Sequence, residues 1–302
     1  MADEQLTPRR PRPTRRQVSV RRGAALVAVA VAVGAAVFAV RAALPSASHA
    51  PARTTTSAVP VLPKPFHVVF PEGFTRSQMA ERVQVVAGIA ERKKGKPVTL
   101  ASRPYLVATR KLVVPCFAPH RQANAEGFLF PATYPFFAGT TSKQLVQQQV
   151  AAFCRNWGQI DLAYARSKNL TPYDVLRIAS LVQGEAVVQS DRPKIAAVIY
   201  NRLHLRMPLG IDAALRYALH IPGTKSILES ELQNPTPYNL RLHTGLPPTP
   251  IDNPGLASLQ AAAHPAKVDY LYFAAEPDKR HHFFTASASA FQQYECAHGY
   301  GC

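Results

Sequence analysis

The sequence predicts an α+β protein: an N-terminal apolar anchor, a small α+β module, and a larger mixed region of helices and short strands. Residues 171–190, TPYDVLRIASLVQGEAVVQS, read as a strongly capped amphipathic helix. An alternating stretch at 67–70 and short runs near 270–274 and 282–285 read as strands set among helical periods. A single uncharged apolar run precedes all of these. With 302 residues, 47% of them hydrophobic, the chain has ample apolar surface for a core, which excludes wholesale disorder.

Charge organises the N-terminus. The chain carries 35 Lys and Arg against 18 Asp and Glu, a formal +17 that points to anionic surroundings: nucleic acid, anionic lipid or wall polymer. Residues 1–22 hold seven arginines (Arg9, Arg10, Arg12, Arg15, Arg16, Arg21, Arg22) against Asp3 and Glu4. Residues 23–40, GAALVAVAVAVGAAVFAV, follow without a charge and end at Arg41. As a helix, 18 residues cover roughly 27 Å, near the thickness of a bilayer core. The arginines on its N-terminal side predict a cytoplasmic N-terminus and everything beyond residue 41 outside. A cleaved signal peptide is the competing reading, with small residues at 46–50 for processing; the run exceeds the usual apolar core of about 7 to 15 residues, which favours an uncleaved anchor at 23–41. Topology thus accounts for the basic tail, and the exported part carries no nucleic-acid recognition motif, so no nucleic-acid partner is expected.

Residues 42–65 are poor in large apolar side chains, with five prolines between 44 and 65, and read as an extended tether. All four cysteines (Cys116, Cys154, Cys296, Cys302) fall on the exported side, where disulfides form. Cys296 with Cys302 and Cys116 with Cys154 is the favoured pairing among three, because CAHGYGC closes a short tail. A zinc site using His298 has the wrong spacing, and no metal is expected.

Residues 66–115 read as the small module. HVVF is a strand, Pro71-Glu72-Gly73 a turn, 77–90 a helix, 92–96 a basic loop, and 105–114 a returning strand. Residues 116–302 form the larger region. EGFLFPATYPFFAG places five aromatics between 128 and 137, more consistent with core than with a sugar platform, and Thr140 or Thr141 caps a helix reaching about Trp157.

In the helix at 171–185, Thr171 is the N-cap, Pro172 the first helical residue, and Asp174 lies three after the cap. That register puts Glu185 on one stripe with Ile178, Leu181 and Val182. Apolar surroundings raise a carboxyl pKa, and an acid kept protonated near neutrality can protonate a glycosidic oxygen. Gly184 beside it would admit a ligand closely. An ion pair of Glu185 with Arg192 or Arg202, tying helices together, is the other reading of the same residues. Nucleotide, dinucleotide, zinc-protease and common serine-enzyme motifs are absent from the sequence, and exported chemistry without them often relies on carboxylates.

Glu126-Gly127 with its aromatic run, ASLVQGEA, PKIAAVIYNRL, MPLGID, TPYN, GLPPTPIDNPG, AAAHPAKVDYLYF and HHFF occur in an order that resembles the YceG-like family, the MltG endolytic murein transglycosylases, over roughly residues 66–293. The resemblance implies a membrane-anchored lytic transglycosylase, a lyase that cuts peptidoglycan at the MurNAc–GlcNAc β-1,4 bond. It would leave 1,6-anhydro-MurNAc ends without using water and so limit nascent strand length. It places the catalytic acid at Glu185 and makes 66–115 a LysM-like module and 116–302 the catalytic domain. Asn201, Arg202, Asp212, Tyr238, Asn239 and His282 sit in matching motifs and are the candidate substrate-binding residues. His264 reads as a packing residue. The implied partners are glycan strands, the cytoplasmic membrane and peptidoglycan synthases; no cofactor is implied. Two features depart from the pattern. Gln183 replaces the first acid of an E-K-E run, and Gly210 and Ile211 replace polar residues of M-x-L-Q-T-D, which puts glycan contacts from that loop in doubt. A hydrolytic muramidase on the same scaffold, or a non-catalytic wall-binding scaffold protein, are the alternatives.

Overall fold

The computed structural model describes residues 64–110, 112–117 and 124–300. The expected basic tail, the apolar anchor, most of the tether and Cys302 lie outside the described residues. Among the described residues no helix is long and apolar enough to cross a membrane.

The first strand, β1 (Phe66–Val69), points Val68 into the core and leaves its neighbours outward. It pairs antiparallel with β2 (Thr133–Phe136), Phe66 opposite Phe136 and Val69 opposite Thr133. Segments on both sides of residue 115 therefore share one sheet. Between the strands lie α1 (Arg76–Lys94) and α2 (Ser102–Ala108). Thr75 and Gln78 form a reciprocal capping box at the start of α1; Arg92, Lys93 and Lys94 complement its C-terminal dipole, and Gly95 ends it with a positive φ.

The first part of the strand expected at 105–114 is instead α2, and among the described residues after it Arg110 makes an isolated bridge with Asn124. Pro104 falls in the first turn of α2, where no backbone donor is needed. Tyr105 is fully buried, its hydroxyl donating to Gln149 Oε1 at 2.7 Å. Tertiary packing thus overrides the strand preference of Tyr and Val.

Helix α3 (Ser142–Trp157) starts at Thr141 with a capping box to Gln144 and ends at Trp157, as expected. The disulfide between Cys116 and Cys154 ties it to the 3₁₀ turn Pro115–Phe117. Phe117 thereby sits within 5.0 Å of Phe128 and 4.8 Å of Trp157, ring to ring. The aromatic run serves as core, with Phe128 and Phe136 fully buried, although Phe137 is half exposed. Cys296 is also disulfide-bonded.

After the short α4 (Ala163–Ser167), helix α5 (Pro172–Glu185) crosses the middle of the larger region. The capping box of Thr171 and Asp174 fixes its start. Val175, Leu176, Ile178, Ala179, Leu181 and Val182 are fully buried, against α6 (Arg192–His204) and, most extensively, α9 (Leu256–Ala263). Each large side chain contributes about 2 kcal/mol by burial, which outweighs the ~1 kcal/mol that Gly184 costs in helix propensity. Helices α7 (Asp212–Leu219) and α8 (Glu229–Leu232) lie in the intervening chain. The antiparallel hairpin β3 (Tyr272–Ala275) and β4 (His282–Thr285) is covered by α10 (Ala288–His298). The fold is mixed α+β, helix-rich, with two small sheets.

Candidate active site

Glu185 is the last residue of α5, and its stripe partners Ile178, Leu181 and Val182 are sealed in the core. The carboxyl end of the stripe reaches the surface: Glu185 is partly accessible, and Gly184 and Val187 are exposed. Facing it is the N-terminus of α7. Burial, then the nearby charge of Asp212, raise the Glu185 pKa to about 7, while the Ala213 amide and Arg216 pull it back. The amide belongs to the second residue of α7, one of the unpaired donors of a helix start. The site therefore favours the proton yet offers a donor to the anion that remains when the proton leaves.

Neither arginine proposed as an ion-pair partner takes Glu185. Arg192 donates to Ser258 Oγ at 3.0 Å and lies 3.7 Å from Glu72. Arg202 donates to the carbonyls of Leu271 and Leu209 at 2.6 and 2.8 Å and stacks over Tyr272. The close approach at Gly184 is between elements of the chain: a Cβ there would stand 3.1 Å from Ala213 Cβ and 3.5 Å from Ile251 Cδ1. The missing side chain lets α7 reach Glu185.

Asp212 is held by Arg241 through two hydrogen bonds of 2.6 and 2.9 Å. Asn239 is fully buried; it donates to the carbonyls of Leu232 and Asn234 and accepts from the Arg241 amide, which fixes the loop that carries the arginine. Tyr238 bonds Thr249 at 2.8 Å, and its ring packs 5.5 Å from that of Tyr217. These three expected residues surround α7. Asn201 and Arg202 bind backbone carbonyls of the chain entering β3, and His282 bonds Asp191 through both its amide and Nδ1. These bonds hold the β3–β4 hairpin and the chain entering it to α6 and to the 3₁₀ turn before it, while Arg202 also ties in the 208–209 segment. Gln183 accepts from the Gly255 amide and from Ser258 Oγ, closing the loop before α9 onto α5. Ile211, buried, is the N-cap of α7, and Gly210 bonds the Leu240 carbonyl at 2.8 Å.

Sequence reasoning missed a second hub. Glu126 is 3% exposed and accepts from the Arg76 amide at 2.9 Å, Asn253 Nδ2 at 2.8 Å and the Tyr217 hydroxyl at 3.2 Å. Burial, opposed by those donors, puts its pKa at about 7. Asn253 in turn bonds the backbone of Phe74 and Leu129. Together they join α1, the 126–129 turn, the 251–255 loop and α7. Their signal in the sequence was motif membership alone, without a periodic position that would mark them.

Two cavities, of about 290 and 530 Å³, lie elsewhere on the surface, the smaller lined by Arg192 and His264 and the larger by Tyr164, Tyr200 and Asn201; Glu185 lines neither. Among the described residues, Glu276, Asp278 and His281 at the hairpin tip stand close enough to hold a metal ion. Asp278 there accepts from His281 Nδ1 at 2.6 Å and from the Arg280 and His281 amides, bonds that the turn itself uses.

A protein of Bacillus subtilis (strain 168) named endolytic murein transglycosylase is 39% identical over 151 residues, 50% of this chain and 42% of that one. One of Streptococcus pneumoniae (strain R6), of the same name, is 33% identical over 226 residues, 69% of this chain and 40% of that one. The chain thus spans about two fifths of the length of these curated relatives. The crystal structure of a putative YceG-like protein from Listeria monocytogenes superposes with a TM-score of 0.61 at 28% identity, over 77% of this chain and 76% of the other. The model of the YceG-like family matches residues 43–295, and the chain belongs to that family.

Proposed function

We propose that this chain is an endolytic murein transglycosylase in which Glu185 serves as the single acid and base. The observation that carries the reading is a desolvated carboxyl, on a residue only partly covered from solvent, whose pKa is pushed up to about 7 and which meets the Ala213 amide at the start of α7. Family membership and the shared name of the curated relatives support it.

The protonated Glu185 gives its proton to the oxygen bridging MurNAc and GlcNAc. The C1–O bond breaks with its electron pair going to that oxygen, and positive charge develops at C1. The carboxylate, stabilised by the Ala213 amide and Arg216, then takes the proton of the sugar's own 6-hydroxyl as O6 bonds to C1. The product end is 1,6-anhydro-MurNAc, Glu185 is protonated again, and no water is consumed. Intramolecular attack gains from proximity, since the nucleophile is already attached to the reacting ring. One carboxyl and the substrate's hydroxyl account for every proton, so the reaction requires no cofactor or metal.

We further read residues 23–41 as a single-pass anchor in the cytoplasmic membrane, with residues 42–65 as the tether that places the enzyme on the outer side, among nascent strands and their synthases. The glycan-holding, LysM-like unit is read as β1, α1, α2 and the pairing strand β2. Asp212, at the start of α7, and Tyr238, packed on Tyr217 of the same helix, are the candidate cleft residues. Replacing Glu185 with Gln should lower cleavage of isolated glycan strands by about 10²- to 10⁴-fold. Thermal stability and glycan binding should persist. Mass spectrometry of the wild-type products should show anhydro ends. Reducing MurNAc ends would instead mean a muramidase, and undiminished cleavage by Glu185→Gln would mean a different acid.

A further inference from the structure

One buried acid has no part in this mechanism. Asp252, in the loop before α9, is 4% exposed, and its Oδ1 is sealed from solvent without a hydrogen-bond partner. Its surroundings make that conspicuous. The next residue, Asn253, bonds through both ends of its amide, and Gln183 and Ser258 beside the loop bond each other. Burial, with Glu126 and Glu72 nearby, holds the Asp252 carboxyl protonated well above the usual range. An unpartnered buried carboxyl destabilises a fold, so it is retained where something other than the fold makes use of it.

The other oxygen shows where that use lies. Oδ2 is within 3.7 Å of the Cβ position at Gly73 and 3.8 Å of that at Gly184. Gly184 is exposed and directly precedes Glu185; Gly73, at φ +76°, turns the chain from β1 into α1. Two residues without side chains thus lie against the carboxyl, one of them next to the proposed acid, with Ala213 and Ile251 packed beyond Gly184 and Gln183 beside Gly73. A half turn about the last side-chain torsion exchanges the two oxygens, so either can lie against these glycines.

We propose that Asp252 is a substrate-contacting acid of the same site, hydrogen-bonding the bound glycan between Gly73 and Gly184. A neutral carboxyl offers one donor and one acceptor. Its matching groups on an N-acetylated amino-sugar polymer are a ring hydroxyl and the acetamido group. The proposal rests on the transglycosylase reading for its substrate class, while its geometry is independent of which residue moves the proton.

The test uses the full-length chain carrying Glu185→Gln, so that bound strands stay intact, with uncross-linked glycan strands as the probe. Adding Asp252→Ala should weaken the measured Kd by about tenfold or more, and Asp252→Asn, which keeps a donor and an acceptor, by less. Asp252→Ala should leave Tm unchanged or raise it, because an unsatisfied buried group is removed, and Asp252→Asn should leave it about unchanged. A Kd within about twofold of the parent for both variants overturns the proposal, and so does a fall in Tm that accompanies the loss of binding in both. Where Asp252→Ala unfolds, Asp252→Asn decides by the same two readings. Strands with the acetamido groups removed separate the two sources: if the acetamido group is the partner, Asp252→Ala loses its effect on them, and if a hydroxyl is, the effect persists. A wild-type enzyme that fails to cleave would sink the transglycosylase reading alone, since the Kd comparison is made without cleavage.

Discussion

Glu185 holds its proton near neutrality because ionising it places a charge against a desolvated wall and within reach of Asp212. The sign of the pH dependence follows. In the proposed mechanism the acid form is required for bond cleavage, so the rate should fall as pH rises through about 7, the value to which Glu185 is raised. Initial rates of anhydro-end formation from pH 5 to 9 would check this, and a rate still climbing above pH 8 would exclude Glu185 as the acid. Stability moves in the same direction. The folded state binds the proton more tightly than the unfolded chain does, so stability declines as pH rises from the ordinary carboxyl range to about 7 and is flat beyond. At this scale the sequence was half legible. It put Glu185 on an apolar stripe, but Asp212, whose charge adds to the effect of burial, is 27 positions further along and adjacent only once α7 packs.

At the scale of elements, α5 and α7 carry the proposed acid and the groups that shift its pKa. The start of α5 is fixed by three local features, Thr171, Pro172 and Asp174, that act within one turn and were readable directly. What α7 does was not readable, because its N-cap is Ile211, whose side chain offers no acceptor. Its position comes from packing against Gly184 and from Arg241, which grips Asp212. Replacing Asp212 with Asn removes the charge that raises the Glu185 pKa and frees the arginine. The alkaline limb of the rate profile should then move down by about 0.5 to 1 pH unit with little change in fold. An unmoved limb would show that burial alone sets the proton affinity of Glu185.

For the whole molecule, the covalent tie between Cys116 and Cys154 matters most. It closes a loop across a sequence separation of 38 and sets Phe117 among Phe128, Phe153 and Trp157. Reduction should therefore lower the unfolding free energy by about 2 to 4 kcal/mol. Urea denaturation with and without reductant measures this; Cys116→Ser isolates this bond from the one at Cys296. The same aromatic cluster packs on Tyr173 at the first turn of α5, ring centroids 6.3 Å from Phe128. The core that carries the acid is thus continuous with the one the disulfide secures.

The residues alone determined the capped starts of α3 and α5, the β4 strand, the burial of the aromatic run and the stripe on which Glu185 lies. Caps, turns and hydrophobic periods depend on atoms within a few positions of one another. The tertiary structure decided that 102–108 is helical, that Gly184 serves an approach between helices, and that Glu126, Asn253 and Asp252 gather around one loop. Those outcomes turn on desolvation and on donors from distant segments, and neither exists until the segments have packed.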